Sequence, residues 1–284
     1  MLRICSAGLG LAGLVLLATP ASSTTATRPA SRYNVGATHS PQLLRQLAGG
    51  SGPASGGLRA AVAGRLAGAR QGVDVAAYQH PGGAPINWSQ AAQAGISFAA
   101  VKATEGTYYQ NPYALSDIAA AQAAGLSVGA YAFAIPNGNG GSGSAVAQAD
   151  YLISYLGPLS TSVPIMLDIE FNPYAGGTCY GLSPTQLVSW VSAFSAEVLA
   201  KTGHAPYVYT AQGFWDPCTG GSAAVATDPL WVANYTTATS PALPAGWADW
   251  TVWQYSSTGT VSGIDAPGST DLDQLQPGLT SLGP

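Results

Sequence analysis

Residues 163–174 read VPIMLDIEFNPY, an apolar run ending in two carboxylates, Asp168 and Glu170, separated by one isoleucine. Side chains alternate along a strand, so both acids face the same way, with Cα atoms roughly 6.6 Å apart. Two like charges held together at the end of a buried strand raise each other's pKa, and one keeps its proton near neutral pH. That is the raw material of general acid–base catalysis. Glu170 is the better acid, because its side chain reaches further and its pKa starts higher, which leaves Asp168 charged.

Other polar and aromatic residues gather where apolar runs end: Asp74, Lys102 and Glu105, Tyr131, Tyr209, Trp231 and Tyr235, Trp253, Gln254 and Tyr255, and Asp271 and Asp273. An acidic face lined by Trp and Tyr, with no metal-ligand cluster or phosphate loop, suits a sugar substrate. Glycoside hydrolysis commonly uses two carboxyl groups flanking the bond, one of them protonated. Several of these residues also have plain structural readings. Lys102 and Glu105 equally fit a structural ion pair, Trp231 and Trp253 equally fit the core, and Asp273 reads as a loop acid. His39, His80 and His204 lie far apart, so neither metal binding nor catalysis is assigned to them, and no cofactor is expected.

The elements that must position these groups begin at Gln71. Strand-like runs occupy 72–78, 98–103, 127–135, 163–170, 206–210, 230–235, 251–256 and 270–275, and helical patterns occupy 88–94, 112–124, 142–156 and 184–201. Alternating strands and helices, with strands apolar on both faces, predict an α/β fold: a TIM-like barrel of eight strands. The helices fade after Thr210, so the later strands are expected to close the barrel through loops. In such barrels functional groups sit at the carboxyl ends of the strands. Some 214 residues suffice for one such domain and no second.

Ahead of this domain lie two segments of different texture. Arg3, an apolar stretch from about Leu9 to Ala18, and Thr19-Pro20-Ala21 follow the order of a secretory signal peptide, assigned to residues 1–26; the stretch is shorter than the ~20 residues of a membrane span. Residues 27–70, rich in Ala, Gly, Ser, Pro and Arg, read as a basic disordered linker or pro-segment. The net charge of −4 hides an asymmetry: seven arginines precede residue 71, whereas beyond it two lysines face all 13 acids, leaving −11. So acidic a domain is a poor partner for nucleic acid. The expectation is an exported monomer, secreted or wall-associated, with no membrane attachment once the signal is removed. Export makes a Cys179–Cys218 disulfide the expected state of the two remaining cysteines, two separate thiols being the alternative.

The segments GVDVAAYQ, FAAVKATEG, AGLSVGAYAF, VPIMLDIEFNPYAGGTCYGLS, PYVYT, FWDPCTGG, PLWVANY and WTVWQYSSTG occur in the order found in glycoside hydrolase family 25, the Chalaropsis-type lysozymes. The chain resembles that family from residue 71 to about 276, and the cysteine contexts resemble its secreted bacterial branch. The resemblance implies an N-acetylmuramidase that cuts the β-1,4 bond between N-acetylmuramic acid and N-acetylglucosamine in peptidoglycan. By position it implies Glu170 as general acid, Asp168 as an orienting or stabilising group, and Asp74 and Asp271 as the other cleft acids. Tyr131, Tyr209, Trp231, Trp253 and Gln254 would bind substrate or support the cleft. The chain departs from the family's usual pattern at Ala132, where a histidine is common, and at Asp273, where an asparagine is common. Those departures motivate two alternatives: a wall-glycan-binding module without turnover, or a hydrolase of a different N-acetylated glycan.

Overall fold

The computed structural model describes residues 68–137 and 141–283. The signal peptide and nearly all of the basic segment expected from the sequence lie outside the described residues. Nine strands follow in chain order: β1 (Gln71–Val75), β2 (Ile96–Glu105), β3 (Tyr109–Gln110), β4 (Ser127–Phe133), β5 (Ile165–Asp168), β6 (Tyr207–Thr210), β7 (Leu230–Ala233), β8 (Val252–Gly259) and β9 (Thr270–Leu275). They pair in the order β1-β9-β8-β7-β6-β5-β4-β2, and β1 also pairs with β2, which closes an eight-stranded barrel with β3 as a short flap on β2. Seven of the barrel strands run parallel, whereas β9 is antiparallel to both of its neighbours.

Five helices surround this ring: α1 (Trp88–Gln93), α2 (Ala114–Ala123), α3 (Gly141–Leu156), α4 (Pro184–Thr202) and α5 (Gln212–Thr219). Helix α4 illustrates how locally the sequence encodes them. Ser183 caps it, Pro184 occupies the first turn, Gln186 Oε1 accepts from Ser183 N over 2.9 Å, and Gly203 ends it with a φ of 82°. Helix α5, eight residues with Pro217 inside it, is the one helix among the described residues that follows Thr210, where the sequence leads the helices to fade. The β7–β8 and β8–β9 connections do lack helices.

Strand alternation divides the core in two. Outward residues such as Val101, Ala130, Leu167 and Val232 pack under the helices with Leu152, Trp190, Val191 and Phe194. Inward residues Phe98, Met166, Tyr207, Val252, Leu275 and Leu282 fill the barrel's lower half. Gly72 is required there, since a Cβ would lie 2.3 Å from Phe98 Cζ. The chain's last described turn closes the floor, with Leu282 N donating to Ser127 Oγ over 3.0 Å. The upper half is left to polar groups.

Candidate active site

An open cleft of about 250 Å³ occupies that upper half and is lined by Asp74, Lys102, Tyr131, Asp168, Glu170, Tyr209, Trp231, Gln254 and Asp271, among others. Eight sequence-expected site residues therefore meet at one place, joined by Lys102. Each arrives by the alternation of its strand: Asp74 from β1, Tyr131 from β4, Tyr209 from β6, Trp231 from β7, Gln254 from β8 and Asp271 from β9. Strand β5 stops at Asp168 rather than continuing to residue 170. Glu170 stands two residues beyond it at the cleft mouth, half-buried, while Asp168 is buried.

Trp253 is placed differently. It is fully buried on the outward side of β8, its ring edge-on to Trp250 and Tyr255, and its Nε1 donates to Asn234 O over 2.7 Å. It supports the strand from behind rather than lining the cleft. Ala132 also faces outward, into the layer under the helices, so it takes no group away from the cleft.

Asp273 is a correction. Instead of a loop acid it is a fully buried member of β9, whose Oδ1 accepts from Trp231 Nε1 over 2.8 Å. That bond fixes the indole, which meets Tyr209 edge-on at 4.6 Å and Tyr131 at 5.9 Å. These three rings form the aromatic wall. Gln254 organises the opposite side: its Nε2 donates to Asp74 Oδ2 over 2.7 Å, and its Oε1 accepts from the hydroxyls of Tyr209 at 2.9 Å and Tyr235 at 2.7 Å.

So many carboxyl groups in one poorly hydrated cleft cannot all ionise at their usual pKa. Desolvation pushes Glu170 up to about 7, against the opposing pull of the Lys102 ammonium. Asp74 rises to about 6 for the same primary reason, with hydrogen bonds from Gln254 and the neighbouring acids holding it back. Asp168 is driven well above the usual range, first by burial and then by the charge of Glu170. Both acids are raised, as their proximity predicts, but the stronger shift falls on Asp168, which the sequence reading left as the charged member. The reason is that Asp168 is the deeper group, and its Oδ1 has no hydrogen-bond partner. Burial likewise lifts Asp271 and Asp273. Burial thus raises all five acids of the cleft.

Lys102 and Glu105 do form an ion pair, Nζ to Oε2 at 2.7 Å, with both side chains almost wholly buried. The ammonium also lies 4.7 Å from the Phe133 ring centre. Among the described residues it is the one cation lining the cleft, a role that single-sequence reading left open. Sequence reasoning also passed over Tyr78, Gln79, Phe133, Asp265 and Ser269 as lining residues. All but Phe133 lie in connections, where no alternation pattern assigns a facing direction. His80 is buried away from this chemistry, bonded to Asp117 Oδ2 at 2.8 Å and stacked on Tyr113. No group of three or more His, Cys, Asp or Glu side chains among the described residues could hold a metal ion. Cys179 and Cys218 are joined in a disulfide.

The profile of Glycosyl hydrolases family 25 matches residues 73–264. Over 208 residues the chain is 42% identical to Lysozyme M1 of Streptomyces globisporus, a match covering 72% of this chain and 66% of that one, just under two thirds of its length. It is 37% identical to the N,O-diacetylmuramidase of a Chalaropsis species, over 72% of this chain and 97% of that one. Among solved structures, the bacterial lysozyme from Streptomyces coelicolor superposes with a TM-score of 0.66 at 40% identity, covering 74% of this chain and 94% of its own.

Proposed function

The chain belongs to the glycosyl hydrolases of family 25, and from that premise we propose that it is an exported muramidase hydrolysing the β-1,4 bond between N-acetylmuramic acid and N-acetylglucosamine in peptidoglycan. The observation that carries this reading is the meeting of Asp168 and Glu170, at the end of β5, with Asp74 and Asp271 from β1 and β9, in one cleft walled by Tyr131, Tyr209 and Trp231. The names of the relatives support the substrate class. The Cys179–Cys218 disulfide supports export, since such bonds persist in oxidising compartments.

Glu170, with its pKa pushed up to about 7, keeps its proton below neutral pH and in about half of the molecules at pH 7, and stands at the mouth, where a glycosidic oxygen is accessible. It donates that proton as the bond to the leaving sugar breaks. Positive charge then develops at the sugar's anomeric centre, flanked by the cleft acids, and a water adds its oxygen there while releasing the proton that restores Glu170. Asp168 is the nearest such group in sequence and stabilises that charge or orients the substrate. The three aromatic rings present apolar faces on which a pyranose packs, and Gln254 holds Asp74 and two tyrosine hydroxyls in fixed positions.

The test is the identity of the sugar at new reducing ends when the purified protein acts on peptidoglycan, with Glu170→Gln alongside. Muramic acid at those ends, and none with the variant, is the expected result. Glucosamine ends would overturn the bond assignment, and undiminished turnover by Glu170→Gln would overturn the assignment of the acid.

A further inference from the structure

Glu105 takes no part in the chemistry above, yet it is fully buried. Its Oε2 accepts from Lys102, and its Oε1 accepts from the hydroxyls of Tyr108, at 2.7 Å, and Tyr174. The two tyrosines come from separate connections, one following β2 and one following β5, and their hydroxyls are 3.5 Å apart. The two residues are nevertheless 48% and 41% exposed. The other large apolar side chains exposed to that degree among the described residues are three leucines. Both hydroxyls are engaged by a buried carboxylate, so the remainder of what each tyrosine side chain offers to solvent is ring carbon.

This pair adjoins the cleft. Lys102 and Phe133 line the cleft wall, and Gly106 N, beside Tyr108, donates to Phe133 O over 3.1 Å. The pair is also held firmly. Gly106 has a φ of 50°, and a Cβ there would lie 2.6 Å from Tyr108 Cε1, so the ring lies against the backbone. Tyr174 N donates to Asn172 Oδ1 over 2.9 Å, Asn172 Nδ2 donates to Ala175 O and Gly177 O, and the same loop is stapled at Cys179. Exposed aromatic surface fixed in advance is what a binding platform needs, because little side-chain freedom is lost when a ligand lands.

We propose that Tyr108 and Tyr174 form a distal glycan subsite, an aromatic platform that takes the pyranose faces of a strand running out of the cleft past Lys102. The inference rests on the reading of the cleft as a glycan-cleaving site. A pyranose offers flat C–H surface to such rings. A stem peptide, with its charges and amides, would need outward donors and acceptors, and the hydroxyls that could serve are bound to Glu105.

The experiment measures equilibrium binding of stem-free peptidoglycan glycan strands, long chains and single tetrasaccharides, to the full chain carrying Glu170→Gln, with and without Tyr108→Ala, Tyr174→Ala or both. Long strands are expected to bind about fivefold more weakly for each ring removed, with tetrasaccharide affinity unchanged. Tyr108→Phe and Tyr174→Phe keep the rings and are expected to keep the affinity, which separates ring loss from misfolding. Unchanged long-strand affinity in the double alanine variant, or equal losses on both ligands, would each overturn the platform. Reducing-end release by the unsubstituted protein is recorded in parallel. If it fails while the rings still govern strand binding, it is the hydrolase reading that falls; if it succeeds and the alanine variants bind normally, only the subsite falls.

Discussion

Gln254 Nε2 donates to Asp74 Oδ2 over 2.7 Å, joining β8 to β1 across 180 residues of chain. The same amide's oxygen accepts from two tyrosine hydroxyls, so one side chain satisfies three partners on three elements. Gln254→Leu keeps the volume and removes all three bonds. Leaving two hydroxyls and a carboxylate without this partner is expected to destabilise the fold by about 2–4 kcal/mol. The loss of the donor also raises Asp74 beyond about 6. Denaturant unfolding at pH 7 checks the first effect, and an unchanged midpoint would show that water replaces the amide.

Activity should depend on the proton of Glu170. With a pKa near 7, the group is an acid below that value and spent above it, so kcat/KM is expected to fall tenfold per pH unit on the alkaline side. A pH profile from 4 to 9 on soluble glycan strands reads this limb directly. A plateau extending to pH 9 would remove Glu170 from the role of acid.

Stability should change with pH in the direction opposite to the usual acid denaturation. For Asp74 the folded pKa, about 6, exceeds the ordinary aspartate value of 3.8, so the folded state binds the proton more tightly. Its contribution is complete below about pH 4 and is lost as pH rises through 6. Asp168, Asp271 and Asp273 shift the same way. Asp273→Asn keeps an oxygen for Trp231 Nε1 while removing a buried charge. It is therefore expected to raise the thermal midpoint at pH 8 and leave it nearly unchanged at pH 4. Equal effects at the two pH values would mean that Asp273 is neutral throughout.

Removing the Lys102 ammonium strands the Glu105 carboxylate in the interior. Lys102→Met is expected to destabilise by about 3–5 kcal/mol, and Lys102→Met with Glu105→Gln to recover most of that loss. Lys102 also opposes the rise of Glu170 and Asp168, so the alkaline limb of activity should move to higher pH in the single variant. A double variant no more stable than the single one would argue that packing, and not charge, accounts for the pair.

The disulfide closes a loop of 39 residues. In the chain-entropy model such a loop is worth about 4 kcal/mol, and replacing both cysteines by alanine is expected to lower stability by up to that amount. Thermal unfolding of the double variant against the oxidised parent gives the number. A loss well below 1 kcal/mol would mean that the bond matters for local loop order only.

Most of the barrel was legible because its strands are short, apolar and separated by helical spacing. The run assigned to 270–275 coincides with β9. The misreading of Asp273 came from the same strand: Thr-Asp-Leu-Asp-Gln-Leu places its acids on alternate positions, a pattern that normally marks a solvent face. Here the alternate face is the inside of a barrel whose upper half is polar, so exposure inferred from polarity was inverted. Helix α5 escaped notice because Gln212–Thr219 contains Gly213, Asp216 and Pro217, all poor helix formers, and tertiary packing of Phe214, Trp215 and Cys218 holds it in place. In β8 the even odds for Trp253 reflect that alternation gives the period but not the phase. Gln254 faces the cleft, and its neighbour therefore cannot. The tyrosines on Glu105 were invisible for a different reason, since nothing in the sequence relates residue 108 to residue 174.

Strand β9 runs against its neighbours, and this direction decides where the polypeptide leaves the barrel. Its first residues bring Asp271 to the cleft, and its last residues sit beside the beginning of β1, where Leu275 N donates to Arg70 O over 2.9 Å. A parallel strand in that position would have delivered the polypeptide to the cleft rim. The reversal carries it to the opposite pole, where Leu282 seals the floor. Among the described residues, both ends of the domain thus leave from the side away from the cleft, so the rim that carries Asp271 is built by connections between strands alone.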